Sequence, residues 1–223
     1  MSKGKKSPPV FHPARMNEWH LNAVLGWSHD PDQLYASGYA QAAEIVAERA
    51  TQGSHQDMLI YPICFLYRHA LEIVLKELIR DTEKFIRLAA PFNEQLAGME
   101  RVVREVEDDL ENTHSLQRLF TLLQPRLKLV TPDQEIPEDV RSSVFQLHDM
   151  DPTGGVFRYP RRKGKDQPIF NTQTRFDIGR IVERLGQSIR FLSDGIGGWL
   201  AYETDSMNDY ISSLESESYD WNE

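Results

Sequence analysis

Two groups of residues in this chain have types and spacings that could do chemistry. The first lies in the stretch Leu59 to Ile79, LIYPICFLYRHALEIVLKELI. At about 100° per residue, His69, Glu72, Lys76 and Arg80 fall within roughly 80° of one another, with Arg68 just outside that arc. An imidazole, a carboxylate and cations on one strip can exchange protons and attract an anion, which would make the strip the wall of a cleft. They can equally be the only solvated strip of a buried helix, with Glu72 and Lys76 an ordinary i,i+4 pair. The second group is basic. Arg158, Arg161, Arg162, Lys163 and Lys165 crowd into DPTGGVFRYPRRKGKDQPIFN, residues 151 to 171, in a chain of net charge −9. A local excess of cations on an acidic protein reads either as a solvated loop or as a phosphate-binding element.

The element that carries the first group is apolar at almost every other position. Such a helix is buried on most of its circumference and should be the centre of the fold. The chain of 223 residues is long enough for one continuous core. No stretch of 18 or more residues lacks charge, and the start, MSKGKKSPPVFHP, has no apolar segment after its basic residues, so a cytoplasmic protein without a membrane partner is expected. The one cysteine, Cys64, sits within the apolar helix and reads as packing, not as a disulfide or zinc ligand. The overall negative charge argues against indiscriminate nucleic-acid binding, so any such contact would be local.

Along the chain, residues 1 to 13 read as an arm. Trp19, Leu21, Val24, Leu25 and Trp27 suit a short docking helix that completes a segment 1–32. A helix over 33 to 51 follows, whose Ala36, Gly38, Ala40, Ala42 and Ala43 allow close approach to a neighbour. After Ile79 the pattern turns amphipathic and charged, and Pro91 should break it ahead of a second helix over 92 to 110. Asn112 and Thr113 are good caps for a helix bearing Leu116, Leu119, Phe120 and Leu123. Pro137 suits the first turn of a helix ending near Met150, with Glu138 and Asp139 at its positive end. From Thr174 a long helix shows Ile178, Ile181, Leu185, Ile189, Leu192, Ile196 and Trp199 at spacings of three and four, the seam of a packed bundle helix. Gly195, Gly197 and Gly198 mark a kink or a close contact. The residues from 204 to 223 form an acidic, Ser-rich tail.

Three pieces, YRHALEIVLKELI from Tyr67, HSLQRLF from His114 and FRYP from Phe157, resemble bacterial members of the HEPN superfamily over about Tyr35 to Trp199. The resemblance implies an all-α fold, an antiparallel helical bundle of about five to six helices over 33–203 with a Gly/Pro/Arg-rich loop before the long C-terminal helix. It implies a homodimer, no cofactor and no metal. The ribonucleases of that superfamily carry Arg, four to six residues, then His, and Arg141-SSVFQL-His148 fits, with Ser142 where Asn, Asp or His is usual. Arg15 to His20 and Arg49 to His55 fit the same spacing. On this reading His148 is the acid/base and Arg141 steadies the phosphate. Arg158, Tyr159, Arg161, Arg162, Lys163 and Lys165 guide the strand. The setting implied is a bacterial toxin–antitoxin or anti-phage defence system, in which another protein of the system is a further partner.

Two other readings stand beside it. His114, His148-Asp149 and Asp194 occur in the order that HD-type metal phosphohydrolases use. A non-catalytic module could instead clasp RNA, a nucleotide or an acidic partner with the basic loop. His69 and His114, finally, could simply hydrogen-bond Glu72 inside the bundle as structural groups.

Overall fold

The computed structural model describes residues 11, 16–28, 30–97, 99, 110, 112–132, 134–162, 164 and 166–220. The chain forms two units, Met1–Pro31 and Asp32–Glu223. In the first, a 3-10 helix covers Met16–Leu21, and the side chains of Leu21, Val24, Leu25 and Trp27 are exposed. The arm over 1–13, apart from Phe11, lies outside the described residues.

The second unit is all helical, with no strand among the described residues. Helix α1 is Pro31–Thr51, α2 Gln56–Ala89, α3 Leu116–Val130 and α4 Glu138–Met150. Helix α5, Ile178–Arg190, runs through a π-helical turn at Phe191–Gly197 into α6, Gly198–Asp220. Counting that last run once gives five rods among the described residues. Helix α2 packs against α3, α5, the π turn and α6, while α4 packs on α3 and α5.

Helix α2 is central because its sequence is apolar around most of its circumference. From Ile60 to Ala89, buried positions recur on all sides, including Ile63, Tyr67, Leu71, Val74, Leu75, Leu78, Ile79 and Ile86. Each such aliphatic side chain contributes about 1.5–3 kcal/mol by leaving water. Truncating one, as in Leu71→Ala, would cost about 2–5 kcal/mol because a filled core cannot close the cavity. The segment Gln56–Phe92 is long and apolar enough to cross a membrane by composition, yet other helices of the chain cover it. It also runs straight past Ile79 to Ala89, because Thr82, Glu83, Phe85 and Ile86 continue its buried face. A short 3-10 turn at Ala90–Phe92 ends it where Pro91 was expected to interrupt. The helix predicted over 92–110 lies mostly outside the described residues, and 93–97 form turns.

The other helices follow local rules. Helix α1 buries Ala36, Ala43, Ala47 and Ala50 at spacings of seven, four and three, whereas Gly38 faces open space. The cap of α3 is Ser115, whose hydroxyl accepts from the Arg118 N–H at 3.2 Å, in place of the expected Asn112 or Thr113. Asp177 caps α5 by accepting from the Arg180 N–H at 3.0 Å. Ile178, Leu185, Ile189 and Leu192 form its buried seam as predicted. The glycines at 195 and 197 coincide with the π turn, where Gly197 lies against Leu78. The expected acidic tail is helical as far as Asp220, and Tyr210 meets Phe92 edge-on at 5.6 Å. Between α4 and α5 the chain is a long loop, pinched by an isolated antiparallel bridge between Arg161 and Pro168.

Candidate functional site

The polar strip of α2 divides into two neighbouring parts. The first is a buried ion network. The Arg68 guanidinium, with 3% of its side chain exposed, donates through Nη1 to Glu72 Oε2 at 2.9 Å. Its Nε donates to the backbone carbonyl of Asp151 at 3.1 Å and lies 3.5 Å from Asp151 Oδ2, and its Nη2 donates to the carbonyl of His114. Lys76 Nζ donates to Glu72 Oε1 at 3.1 Å, and His114 Nδ1 meets the same oxygen at 2.8 Å. Asp151, fully buried, spends Oδ1 on the N–H groups of Gly155 and Val156 at 2.8 and 3.0 Å. One arginine thereby ties the helix, the turn before α3 and the loop after α4 to a single point.

Burial alone would raise the pKa of Glu72. The hydrogen bonds from His114 and Arg68 and the charge of Lys76 outweigh it and hold the carboxyl below its usual range. Gly154 makes the loop's part of this geometry possible. Its φ is +78°, and a Cβ there would stand 3.0 Å from Arg68 Nη1. Cys64 lies among these groups, and desolvation together with the Asp151 charge pushes its thiol up to about 12, which suits the packing role expected of it.

The second part is aromatic. His69 stacks on Phe65 with ring centroids 5.9 Å apart and takes Tyr39 of α1 edge-on at 4.5 Å. Desolvation by these neighbours lowers its pKa; Glu72 opposes the shift, and the charges of Arg158, Arg68 and Lys76 add to it. The guanidinium of Arg158 lies over Phe65 at 5.0 Å and over Tyr159 at 5.9 Å, within cation–π range. The basic loop is therefore folded onto the polar strip.

The predicted residues distribute as follows. Arg68, Glu72, Lys76 and His114 converge, and His69 lies one step away among rings. Of the two histidines read as possible partners of Glu72, only His114 bonds it. Arg80 leaves the strip to pair with Asp32 at 2.8 Å. Arg158 and Tyr159 meet the strip; Arg161 donates to the Asp166 carbonyl at 2.8 Å, and Arg162 is exposed. Lys163 and Lys165 lie outside the described residues. Arg141 and His148 are seven residues apart on α4, hence on one face. Arg141 pairs with Glu138 at 3.2 Å and covers Phe145 at 4.9 Å, and His148 Nδ1 is buried with no hydrogen-bond partner among the described residues. No three His, Cys, Asp or Glu side chains converge as a metal would require, again among the described residues, so His114, His148, Asp149 and Asp194 are not gathered in the HD manner.

Sequence reasoning missed Asp151, Phe65 and Tyr39. A signal for Asp151 was present in Asp-Pro-Thr-Gly-Gly, where an Asx side chain commonly satisfies the N–H groups that follow it. Comparison of the chain with protein-family models, with curated proteins and with solved structures finds no match. His114 has 60% of its side chain exposed and its Nδ1 engaged by a buried carboxylate, so Nε2 is the nitrogen left to trade protons with a ligand. The exposed Arg158 guanidinium supplies a cation on the same side of α2.

Proposed function

We propose that this is a HEPN-like helical protein of a bacterial toxin or anti-phage defence system, acting as a homodimer that binds RNA and cleaves it without a metal. The observation that carries the reading is the anchored imidazole of His114. Glu72 fixes its ring through Nδ1 and is itself held by Arg68 and Lys76, while a cationic, aromatic loop covers the next two turns of the same helix. Phosphodiester cleavage needs a base for the ribose 2′-OH, an acid for the leaving oxygen and a cation for the developing charge. His114 suits the proton transfers, and Arg158 suits the phosphate. Arg141 and His148 form a second candidate pair, in which His148 is half-buried as a residue and its buried Nδ1 has no hydrogen-bond partner among the described residues.

A non-catalytic RNA-binding module is the second reading. Its support is that Arg68, Glu72 and Lys76 are all committed to internal partners, as residues kept for stability are. One experiment separates the readings. Purified protein is incubated with mixed RNAs in EDTA, with His114→Ala and Arg141→Ala/His148→Ala alongside. Cleavage lost only in His114→Ala assigns the reaction to the α2 site, and loss only in the double variant assigns it to α4. Binding without cleavage by the unaltered protein leaves the module, and neither binding nor cleavage refutes both.

A further inference from the structure

We infer that the cleft between the 156–170 loop and the first turns of α2 is a nucleobase pocket for single-stranded RNA, an inference that rests on the RNA reading above. The cleft holds about 390 Å³ and is walled by Tyr61, Phe157, Arg158, Tyr159 and Phe170. Tyr61, Phe157 and Phe170 are packed ring against ring. Tyr61 meets Phe170 at 6.0 Å, and Phe170 in turn packs on Phe157 at 6.1 Å and Phe176 at 6.5 Å. Yet Tyr61 is 41% exposed and Tyr159 57% exposed, so aromatic faces remain open to solvent. Open aromatic faces are what a splayed-out base stacks on.

Charge selects the occupant. Arg158 lies at the rim over rings, and among the described residues no carboxylate pairs with it. Arg158 gives the cleft a cationic border on a protein of net charge −9. An apolar peptide would have no use for that border, whereas a nucleotide has a base for the rings and a phosphate for the guanidinium. A wider hollow of about 730 Å³ shares Tyr61, Phe157 and Phe170 and adds Gln56, Asn171 and Gln173, side chains able to meet base edges with both donors and acceptors. Tyr61, Phe65, His69 and Glu72 descend one side of α2, placing the cleft about 16 Å along the helix from the Glu72–His114 pair. A strand seated with one base in the cleft would pass Arg158 on its way to that imidazole.

The test uses the full chain and three probes of equal length: an oligouridine strand carrying one 2-aminopurine, the same strand with an abasic site there, and an RNA duplex. Binding is followed by anisotropy and by quenching of the 2-aminopurine. The inference expects the intact strand to bind best and its reporter to be quenched. Tyr159→Ala, on an exposed loop side chain, should weaken that strand by about five- to a hundredfold, with Tyr159→Phe restoring it. The salt dependence should be unchanged in Tyr159→Ala and shallower in Arg158→Gln. Equal affinity for intact and abasic strands, or an intact strand indifferent to Tyr159→Ala, would overturn the pocket and leave the RNA reading standing. Failure of the unaltered protein to bind any of the three at low salt would remove the RNA reading and the pocket together. Displacement of the bound strand by a proline-rich peptide with equal affinity would reassign the cleft to peptide and overturn the inference.

Discussion

Arg68→Met should be among the most damaging single substitutions in this protein, and clearly worse than Glu72→Gln. Methionine fills much of the arginine's volume, so packing is largely kept and the loss is electrostatic. The guanidinium faces two carboxylates, Glu72 at 2.9 Å and Asp151 at 3.5 Å, whose side chains are 9% and 0% exposed. Removing one partner of a buried pair costs about 3–5 kcal/mol, since the charge left behind is no longer compensated. Here two are left behind, and the carbonyls of Asp151 and His114 lose a donor as well. Lys76 still neutralises Glu72, and two N–H groups still serve Asp151 Oδ1, so the cost should sit near the upper end, at about 4–5 kcal/mol. Glu72→Gln leaves Arg68 facing Asp151, and the Lys76 amine can turn to water, so about 2–3 kcal/mol is expected.

A domain is stable by only about 5–15 kcal/mol, so either change is readable in equilibrium unfolding. With urea slopes of about 2–3 kcal/mol per molar, the midpoint should fall by about 1.5–2 M for Arg68→Met and about 1 M for Glu72→Gln. Adding Asp151→Asn to Arg68→Met removes one stranded charge while keeping an oxygen for the two N–H groups. About 1–2 kcal/mol should return, a departure from additivity expected of groups in contact. Equal or reversed midpoints, or a double variant weaker than Arg68→Met by the full cost of Asp151→Asn, would refute the claim that Arg68 is the counter-charge to both acids.

Three further outcomes follow from the same geometry. Gly154→Ala and Gly164→Ala both force an L side chain to positive φ, +78° and +76°, but only the first drives a Cβ to 3.0 Å from Arg68 Nη1, so thermal melting should show about 1–3 kcal/mol lost at 154 and about 1 kcal/mol at 164. Stability should be flat between about pH 7 and pH 9, fall on acidification, and fall above about pH 9 as well, where the unfolded chain ionises the Cys64 thiol that the fold keeps protonated up to about 12. The pKa of His69 is lowered from 6.5 in the fold, so the unfolded chain takes up that proton first and stability declines below about pH 6.5; Glu72, held below 4.5, adds a second decline below about that pH. His69→Phe should remove the first limb of a melting-temperature profile and leave the second. Cys64, 3% exposed and with its thiol raised to about 12, should react with a thiol reagent only after denaturation, so rapid labelling of the folded protein would contradict its place in the core.

The parts of this fold legible in the sequence are those set by near neighbours. The apolar run around Tyr67, the Pro137 start of α4 and the Ile178 to Leu192 seam are local patterns, and the helices form where those patterns lie. Arg68 shows where local reading stops. A helical wheel puts it outside the polar arc, yet it is the hub of the network, because its partners Asp151 and His114 stand 83 and 46 residues away. Arg80 lies inside the arc and leaves it for Asp32, 48 residues earlier. The tail from 204 reads as acidic and Ser-rich, but Thr204 is buried and Tyr210 finds Phe92, contacts no composition could announce. Ser115 outcompetes Asn112 and Thr113 as a cap because α3 begins at Leu116, the first of its core residues.

The network also constrains which of its members can act on a ligand. Arg68 donates to three oxygens, lies 3.5 Å from Asp151 Oδ2 and is walled off by Gly154, so it cannot meet a phosphate without dismantling the loop it holds. Glu72 receives three donors, and its lowered pKa makes it a poor proton acceptor near neutrality. His69 is half-buried against Phe65 and Tyr39, and desolvation and the nearby cations disfavour its protonation. What remains is the imidazole of His114, exposed on one side and anchored on the other, so the residues that fasten three segments of the core are also those that orient the one group facing outward. A substitution at Glu72 should therefore disturb folding and the position of His114 together, whereas His114→Ala, which removes one of the hydrogen bonds to a carboxylate still paired with Arg68 and Lys76, should lower the unfolding free energy by only about 1 kcal/mol, less than Glu72→Gln.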